Sequence, residues 1–339
     1  MKSKHFSPLQ VAVADHLLFL FILYASPVRA EVSTSLYTGI THTSNLEVQT
    51  GNDIQANDQD SLTRNGLETG LTWSKQSVDF MGGYVLDAKA TFNKDLSSNN
   101  DISSLLLSAS KLSALSPNWL LRNSITANGY HNEALPSNSY KGISLNTTLG
   151  YLDDTGGGTD ISLALVQEQH DQSSDDNYDM TRSSIGLTYY LPHPKNSAYW
   201  SVSSTLRNNN SDDNSRDYNS LLLGINRNAI SLASFTGQFG AYWQYDNYDQ
   251  PIRQSNTTTT TTGNTPGMNS PGMSLQTNTT TRIKERRDNL YYLSLQLGKP
   301  LTHSLSLQLS TSLGRYDSNI NTKADNFYSA AINLVWGLR

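Results

Sequence analysis

The chain has 339 residues, of which 36% are hydrophobic and 16% charged, with a formal net charge of -5 and no cysteine. The lack of cysteine excludes disulfides, thiolate metal sites and cysteine nucleophiles. The mildly acidic composition also excludes the clustered Lys and Arg that a nucleic-acid partner needs. So low an apolar content is poor material for a conventional globular core, whereas 18 Tyr and 5 Trp argue against disorder.

The first 30 residues have the pattern of a secretory signal peptide. Lys2 and Lys4 precede an apolar stretch from Leu17 to Tyr24, and Val28-Arg29-Ala30 has small residues at both positions that signal peptidase reads. A transmembrane anchor is the alternative, but the apolar run is roughly half the ~20 residues of a spanning helix. We therefore predict a signal peptide over 1–30 and a mature chain over 31–339. Any membrane role of the mature chain would require β-strands, because no later segment is apolar for long enough.

Fourteen candidate strands follow the leader, each with apolar and polar residues in alternation. In the clearest of them, Leu305, Leu307 and Leu309 alternate with Ser306 and Gln308. Period-two alternation is typical of a strand with one apolar and one polar face, and it occurs both in soluble sandwiches and in membrane barrels.

The lengths of the connections distinguish a barrel from a sandwich. Long polar segments alternate with short ones along the chain. The long ones are 42–64, 93–101, 130–139, 170–177, 207–217, 246–288 and 315–326, and the short ones are 74–77, 113–118, 152–158, 192–196, 226–229 and 299–301. Outer-membrane barrels have long external loops, short periplasmic turns and an even number of strands. The sequence therefore predicts an all-β fold, a transmembrane antiparallel β-barrel of about 14 strands.

Aromatic residues lie close to the ends of the candidate strands. They either form the interfacial girdles of a membrane barrel or are simply good strand formers. They are Tyr37, Trp73, Trp119, Tyr151, Tyr189, Trp200, Trp243, Tyr291, Tyr328 and Trp336.

One long connection, 247–286, is rich in Thr, with six consecutive Thr ending at Thr262. Such a composition buries too little apolar surface to order itself, so we predict a disordered extracellular loop. It would act as a mobile tether, as a plug in the lumen or as a neutral spacer, and the few apolar residues favour the spacer.

Some charged residues fall on the polar face of the candidate strands. If the apolar face meets lipid, these residues line the lumen, where they either create a transverse field in a channel or pair with one another to stabilise the wall. The candidate lumen-lining charges are Glu68, Asp79, Asp87, Lys89, Arg122, Glu168 and Arg182.

The sequence carries no strong signal for catalysis. It has neither a G-x-S-x-G elbow nor an H-E-x-x-H zinc motif. Acidic clusters around Asp175 and Asp213 lack the ligand spacing of a calcium loop and fit a solvated surface facing lipopolysaccharide. We expect no enzymatic activity, no catalytic residues, no cofactor and no metal site.

The end of the chain resembles a known family. Arg286-Arg287-Asp288, followed by Tyr291 and the run from Arg315 to Ile320, looks like the barrel end of surface lipoprotein assembly modifiers. The resemblance covers the last three strands. It implies a 14-strand barrel and traffic of a macromolecule across or onto the outer membrane. Those proteins carry a tetratricopeptide-like domain before the barrel, which this sequence lacks between the leader and the first strand.

These observations predict a porin-like passive channel for small polar or sugar-like solutes in the outer membrane of a Gram-negative cell. The alternatives are a component of polysaccharide export or surface-lipoprotein assembly, and a closed structural or adhesive surface barrel. The expected partners are outer-membrane lipid and lipopolysaccharide, the barrel-assembly machinery and a polar solute or polysaccharide, with no nucleic acid. The leader predicts signal-peptide-dependent export.

Overall fold

The computed structural model describes residues 31–44, 49–50, 53–54, 63–79, 82–96, 101–133, 139–154, 157–170, 179–191, 200–211, 217–249, 252–261, 275–319 and 325–338. The predicted signal peptide, 1–30, lies outside these residues. The strands are β1 (Glu31–Ser44), β2 (Gln49–Thr50), β3 (Asp53–Ile54), β4 (Thr63–Asp79), β5 (Gly82–Asp95), β6 (Ile102–Ser116), β7 (Trp119–Asn132), β8 (Tyr140–Leu152), β9 (Gly158–His170), β10 (Met180–Leu191), β11 (Trp200–Ser211), β12 (Tyr218–Leu232), β13 (Phe235–Tyr248), β14 (Ile252–Thr261), β15 (Leu275–Lys284), β16 (Arg287–Pro300), β17 (Leu305–Ser318) and β18 (Asp325–Leu338).

Fourteen of these strands form one closed antiparallel barrel. Neighbours in the chain are neighbours in the sheet, with two exceptions. The strand β1 pairs with β4 across the small β2–β3 sheet, and β13 pairs with β16 across the hairpin of β14 and β15. The first and last strands close the cylinder, with Leu36 opposite Trp336 and Ile40 opposite Ile332. Closure leaves no unpaired sheet edge. The predicted all-β fold and the predicted strand number are confirmed.

The barrel strands are 12 to 17 residues long, so they exceed the ~9–11 residues that a tilted strand needs to cross a bilayer. They continue into polar segments that the sequence assigned to connections. The predicted turn at 74–77 is wrong, because β4 continues to Asp79. The predicted turn at 226–229 is also wrong. There the pairing register shifts between Arg227 and Ile230, and Ala229 has a φ of 52°, so the polar residues mark a bulge within β12.

The Thr-rich connection contains regular structure, where the sequence predicted disorder. The strands β14 and β15 pair over their full lengths, from Ile252 opposite Lys284 to Thr261 opposite Leu275. Threonine is β-branched and favours extended backbone, so a run of Thr has a strand propensity even where it buries little apolar surface.

The two faces of the barrel wall differ in chemistry. Leu and Ile side chains are exposed on one face, for example Ile40 at 63%, Leu163 at 54% and Ile332 at 57%. The aromatic residues predicted to form girdles share this face by strand alternation, with one exception. Tyr37 lies on the opposite face and is buried, so its assignment to a girdle is wrong. No helix among the described residues is long and apolar enough to cross a membrane.

Candidate functional site

Contacts between strands that are not neighbours identify the inner face. Asn93 Nδ2 on β5 donates to Thr41 Oγ1 on β1 at 3.0 Å, over Gly66 of the intervening β4. Side chains two strands apart meet only on the concave side of a curved sheet. The glycine at position 66 leaves room for this contact, because a Cβ there would displace the Asn93 side chain.

Hydroxyl and amide side chains dominate the inner face and bond to one another across strands. Thr91 Oγ1 lies 2.6 Å from Ser104 Oγ, and Ser312 Oγ lies 2.6 Å from Ser329 Oγ. Gln238 Nε2 donates to Gln296 Oε1 at 2.8 Å. These groups both donate and accept hydrogen bonds, so they suit an interior filled with water or polar solute.

Two of the predicted lumen charges meet at Tyr37. The Tyr37 hydroxyl donates to Glu68 Oε1 at 3.1 Å, and Lys89 Nζ lies 5.8 Å from the centre of the Tyr37 ring. The ring packs over Gly70, where a Cβ would collide with it. The strands β1, β4 and β5 thus bring one acid and one base to the same aromatic side chain.

Two other predicted lumen charges, Glu168 and Arg182, lie on the adjacent strands β9 and β10 and are buried, with 2% and 6% exposure. His170 Nε2 lies 3.7 Å from Glu168 Oε2, and Arg182 donates to the sulfur of Met180 at 3.4 Å. Burial of this degree is typical of charges that stabilise a wall and do not face an open channel.

The remaining predicted charges are apart from these groups. Asp87 Oδ2 accepts a hydrogen bond from Ser108 Oγ at 3.4 Å. Arg122 is exposed on β7, opposite Thr148 of β8. Asp79 ends β4 opposite Gly82, and its side chain lies outside the described part of the molecule.

The structure also contains a charged cluster that the lumen prediction missed. Arg286 Nε donates to Asp288 Oδ2 at 2.8 Å, and Arg286 also donates to the Tyr316 hydroxyl at 3.0 Å. Tyr316 donates in turn to Asp288, and the guanidinium lies 4.3 Å from the centre of the Tyr248 ring. The sequence assigned these positions to connections because the strand ends are polar. The resemblance to surface lipoprotein assembly modifiers pointed to these positions nevertheless, because Arg286, Asp288 and Tyr316 are among the residues that carry it.

The Arg286 cluster is packed against a small apolar core formed by Leu290, Tyr316 and Phe327. Burial lowers the pKa of the Arg286 guanidinium, but Tyr248, Tyr316 and Asp288 more than offset that effect, and the pKa is raised overall. Arg286 is therefore charged at every physiological pH. It holds together β13, β16 and β17 at the base of the β14–β15 hairpin.

Two further acids on the inner face were not predicted, the half-buried Asp160 and the buried Asp246. Tyr190 donates to Asp160 Oδ2 at 2.8 Å, and Ser220 donates to Asp246 Oδ1 at 2.5 Å. Gln244 Nε2 also donates to Asp246, at 2.9 and 3.0 Å. Both carboxylates have donors on the inner face, which for the buried Asp246 are the partners that a buried charge requires.

A cavity of about 470 Å³ spans the lumen in the half of the barrel away from the Arg286 cluster. Lys89 borders it on one side, and side chains of β13, β16, β17 and β18 border it on the other. The cavity therefore leaves space between Lys89 and these strands at this level of the barrel.

His131 and Ser139 are in contact, but the serine is too buried for this contact to resemble a catalytic pair. Ser139 Oγ lies 3.3 Å from His131 Nδ1, but Ser139 is 1% exposed and bonded to the Asn132 amide, so it is inaccessible to a substrate. Within the described ranges, no group of three or more His, Cys, Asp or Glu could hold a metal ion. Most of both acidic loops lies outside those ranges. At the strand ends, Asp179 accepts a hydrogen bond from the backbone amide of His170, and Asp217 accepts one from the backbone amide of Ser211.

No known protein family matches the sequence, and no curated protein matches it. Solved outer-membrane proteins resemble the structure over most of its length. A loop-deletion mutant of OmpT, an outer membrane protein of Vibrio cholerae, has a TM-score of 0.43 and 9% identity, with 91% of this chain and 99% of that chain covered. OccAB4 of Acinetobacter baumannii has a TM-score of 0.42 and 8% identity, with coverages of 91% and 98%. OprD of Pseudomonas aeruginosa has a TM-score of 0.40 and 8% identity, with coverages of 91% and 96%. Similarity at this level transfers no property of those proteins to this chain.

Proposed function

We propose that this chain is an outer-membrane β-barrel that acts as a passive channel for small polar or sugar-like solutes. The observation that carries the proposal is the contrast between the two faces of one closed wall. The outer face is apolar and exposed, whereas the inner face is lined by hydroxyl and carboxamide groups around a cavity.

The outer face suits contact with lipid. A soluble protein rarely exposes so large a continuous apolar surface, and a closed barrel satisfies its backbone hydrogen bonds internally, as a bilayer requires. An apolar groove of about 650 Å³ on this face, between Leu223, Trp243 and Leu293, is large enough for an acyl chain. We propose lipid and lipopolysaccharide as partners here, after leader-directed export and insertion by the barrel-assembly machinery.

The inner face supports passage of polar solutes. Lys89 and Arg122 are exposed and therefore accessible to ions inside the barrel, whereas Glu168 and Arg182 are buried. Neutral groups outnumber charges on this face, so most of the wall interacts only weakly with any one solute. A wall of this kind offers many weak hydrogen bonds, which allow a solute to enter without being held.

Planar-bilayer recording of refolded protein tests the channel. We expect discrete conductance steps, and swelling of protein-containing liposomes in small neutral sugars. A barrel that folds, as judged by strand content and heat-modifiable migration, but gives neither signal would refute the channel and favour the closed surface barrel.

Export or surface-lipoprotein assembly is a second candidate function. The observation that favours it is that Arg286, Asp288 and Tyr316, all from the segment of resemblance, meet in one cluster. Deletion of the gene in its host tests this candidate. Loss of a surface polysaccharide or lipoprotein, with small-solute uptake unchanged, would support it over the channel.

A further inference from the structure

Four carboxamide side chains form a row across the inner face of adjacent strands β13, β16, β17 and β18. Gln238 is opposite Gln296, and Gln308 is opposite Asn333. The two pairs are offset by two residues along the strands, because Gln308 of β17 is opposite Gly298 of β16 and not opposite Gln296. Gln238, Gln296 and Gln308 are exposed, and all four border the lumenal cavity. Together these four residues form the carboxamide row.

Lys89 faces the carboxamide row across the cavity from β5, on a different part of the wall. Its contact with the Tyr37 ring steadies the side chain, and its ammonium forms no ion pair with any described residue. Among the described residues that border the cavity, Lys89 is the one cation, and it faces several neutral donors and acceptors on the other side.

We propose that Lys89 and the carboxamide row form a binding site for a hydroxylated carboxylate, a sugar acid. Carboxamides donate and accept at once, which matches hydroxyl groups that do the same. The single ammonium matches a single carboxylate through a charge-assisted hydrogen bond. A doubly charged phosphate would call for a bidentate arginine or several cations. The site rests on the proposed channel, and it names the solute class that the channel selects.

Block of the channel by D-gluconate tests the site, with D-glucose and acetate as probes that lack the charge or the hydroxyl groups. In bilayers at about 0.1 M salt, where exposed charges are only partly screened, D-gluconate should reduce the current at lower concentration than either control solute. Lys89→Gln should raise the half-blocking concentration of D-gluconate by about tenfold, because hydrogen bonds to charged groups are the strong ones. Gln238→Ala combined with Gln296→Ala should raise it by roughly three- to fivefold.

Two matched variants serve as controls. Lys299→Gln removes a lysine that also lies over an aromatic ring, that of Phe235, but not at the cavity. Gln76→Ala removes an inner-face carboxamide that bonds to Glu31 away from the row. Neither should change the block by D-gluconate.

The outcomes separate the site from the channel. Equal block by D-gluconate and D-glucose, unchanged by Lys89→Gln, would overturn the sugar-acid site while the channel proposal stands. Absence of any conductance would refute the channel. Calorimetric titration of the detergent-solubilised barrel with D-gluconate would then decide the site: binding that Lys89→Gln abolishes supports it, and no binding overturns it.

Discussion

Arg286 illustrates how single residues hold the inner wall together. Its guanidinium contacts Asp288, Tyr316 and the Tyr248 ring, which lie on three strands. Asp288 is 1% exposed, so without Arg286 it would be a buried carboxylate that has lost its cation.

Arg286→Ala should lower the free energy of unfolding by about 2 kcal/mol, because it removes hydrogen bonds to a buried charged group. Arg287→Ala is the matched control. Its ion pair with Glu285 is largely exposed, at 51% and 70%, and should contribute little. Denaturant unfolding of both variants in lipid or detergent measures the difference, and equal effects would show that the cluster is not stabilising.

The two arginines predicted for the lumen differ in burial, and this decides their roles. Arg122→Ala should alter single-channel conductance or ion preference, because Arg122 is exposed. Arg182→Ala should leave both unchanged and lower stability instead, because Arg182 is buried beside Glu168. Conductance recording and unfolding of the two variants test this assignment, and a conductance change in Arg182→Ala alone would reverse it.

At the level of the strands, glycines allow neighbouring aromatic rings to lie flat on the inner face. Gly314 on β17 is opposite Phe327 on β18, and a Cβ at Gly314 would overlap the Phe327 ring. Phe327 is 2% exposed and belongs to the apolar core beneath the Arg286 cluster. The glycine therefore determines the packing of two strands.

Gly314→Ala should destabilise the barrel by roughly 1–3 kcal/mol, the usual cost of overpacking. Gly129→Ala is a suitable control, because a Cβ there meets no atom within 4 Å. Denaturant unfolding compares the two. Equal stability of Gly314→Ala and the parent chain would show that Phe327 moves away without cost.

At the scale of the whole molecule, the alternation of apolar and polar residues determines which face meets the surroundings. Adjacent residues Leu163 and Ala164 lie near the middle of β9, on opposite faces. If the barrel spans a bilayer, Leu163→Arg should cost about 2–4 kcal/mol, the cost of a cation at the midplane.

Ala164→Arg places the same charge on the inner face and should cost much less. Unfolding of both variants from lipid vesicles measures the difference. Equal costs in vesicles, or no cost for Leu163→Arg, would contradict a lipid-facing outer wall.

The sequence alone determined the fold class, the strand number and the polarity of most strand faces, because period-two alternation and connection lengths are local properties. It placed Glu68, Lys89, Glu168 and Arg182 on the polar face without distinguishing the buried from the exposed. Only the tertiary structure decided that Lys89 faces the carboxamide row, that Tyr37 points inward, and that Arg286, Asp288 and Tyr316 meet. Those relations depend on register and on closure of the cylinder, which bring together residues that are far apart in the sequence.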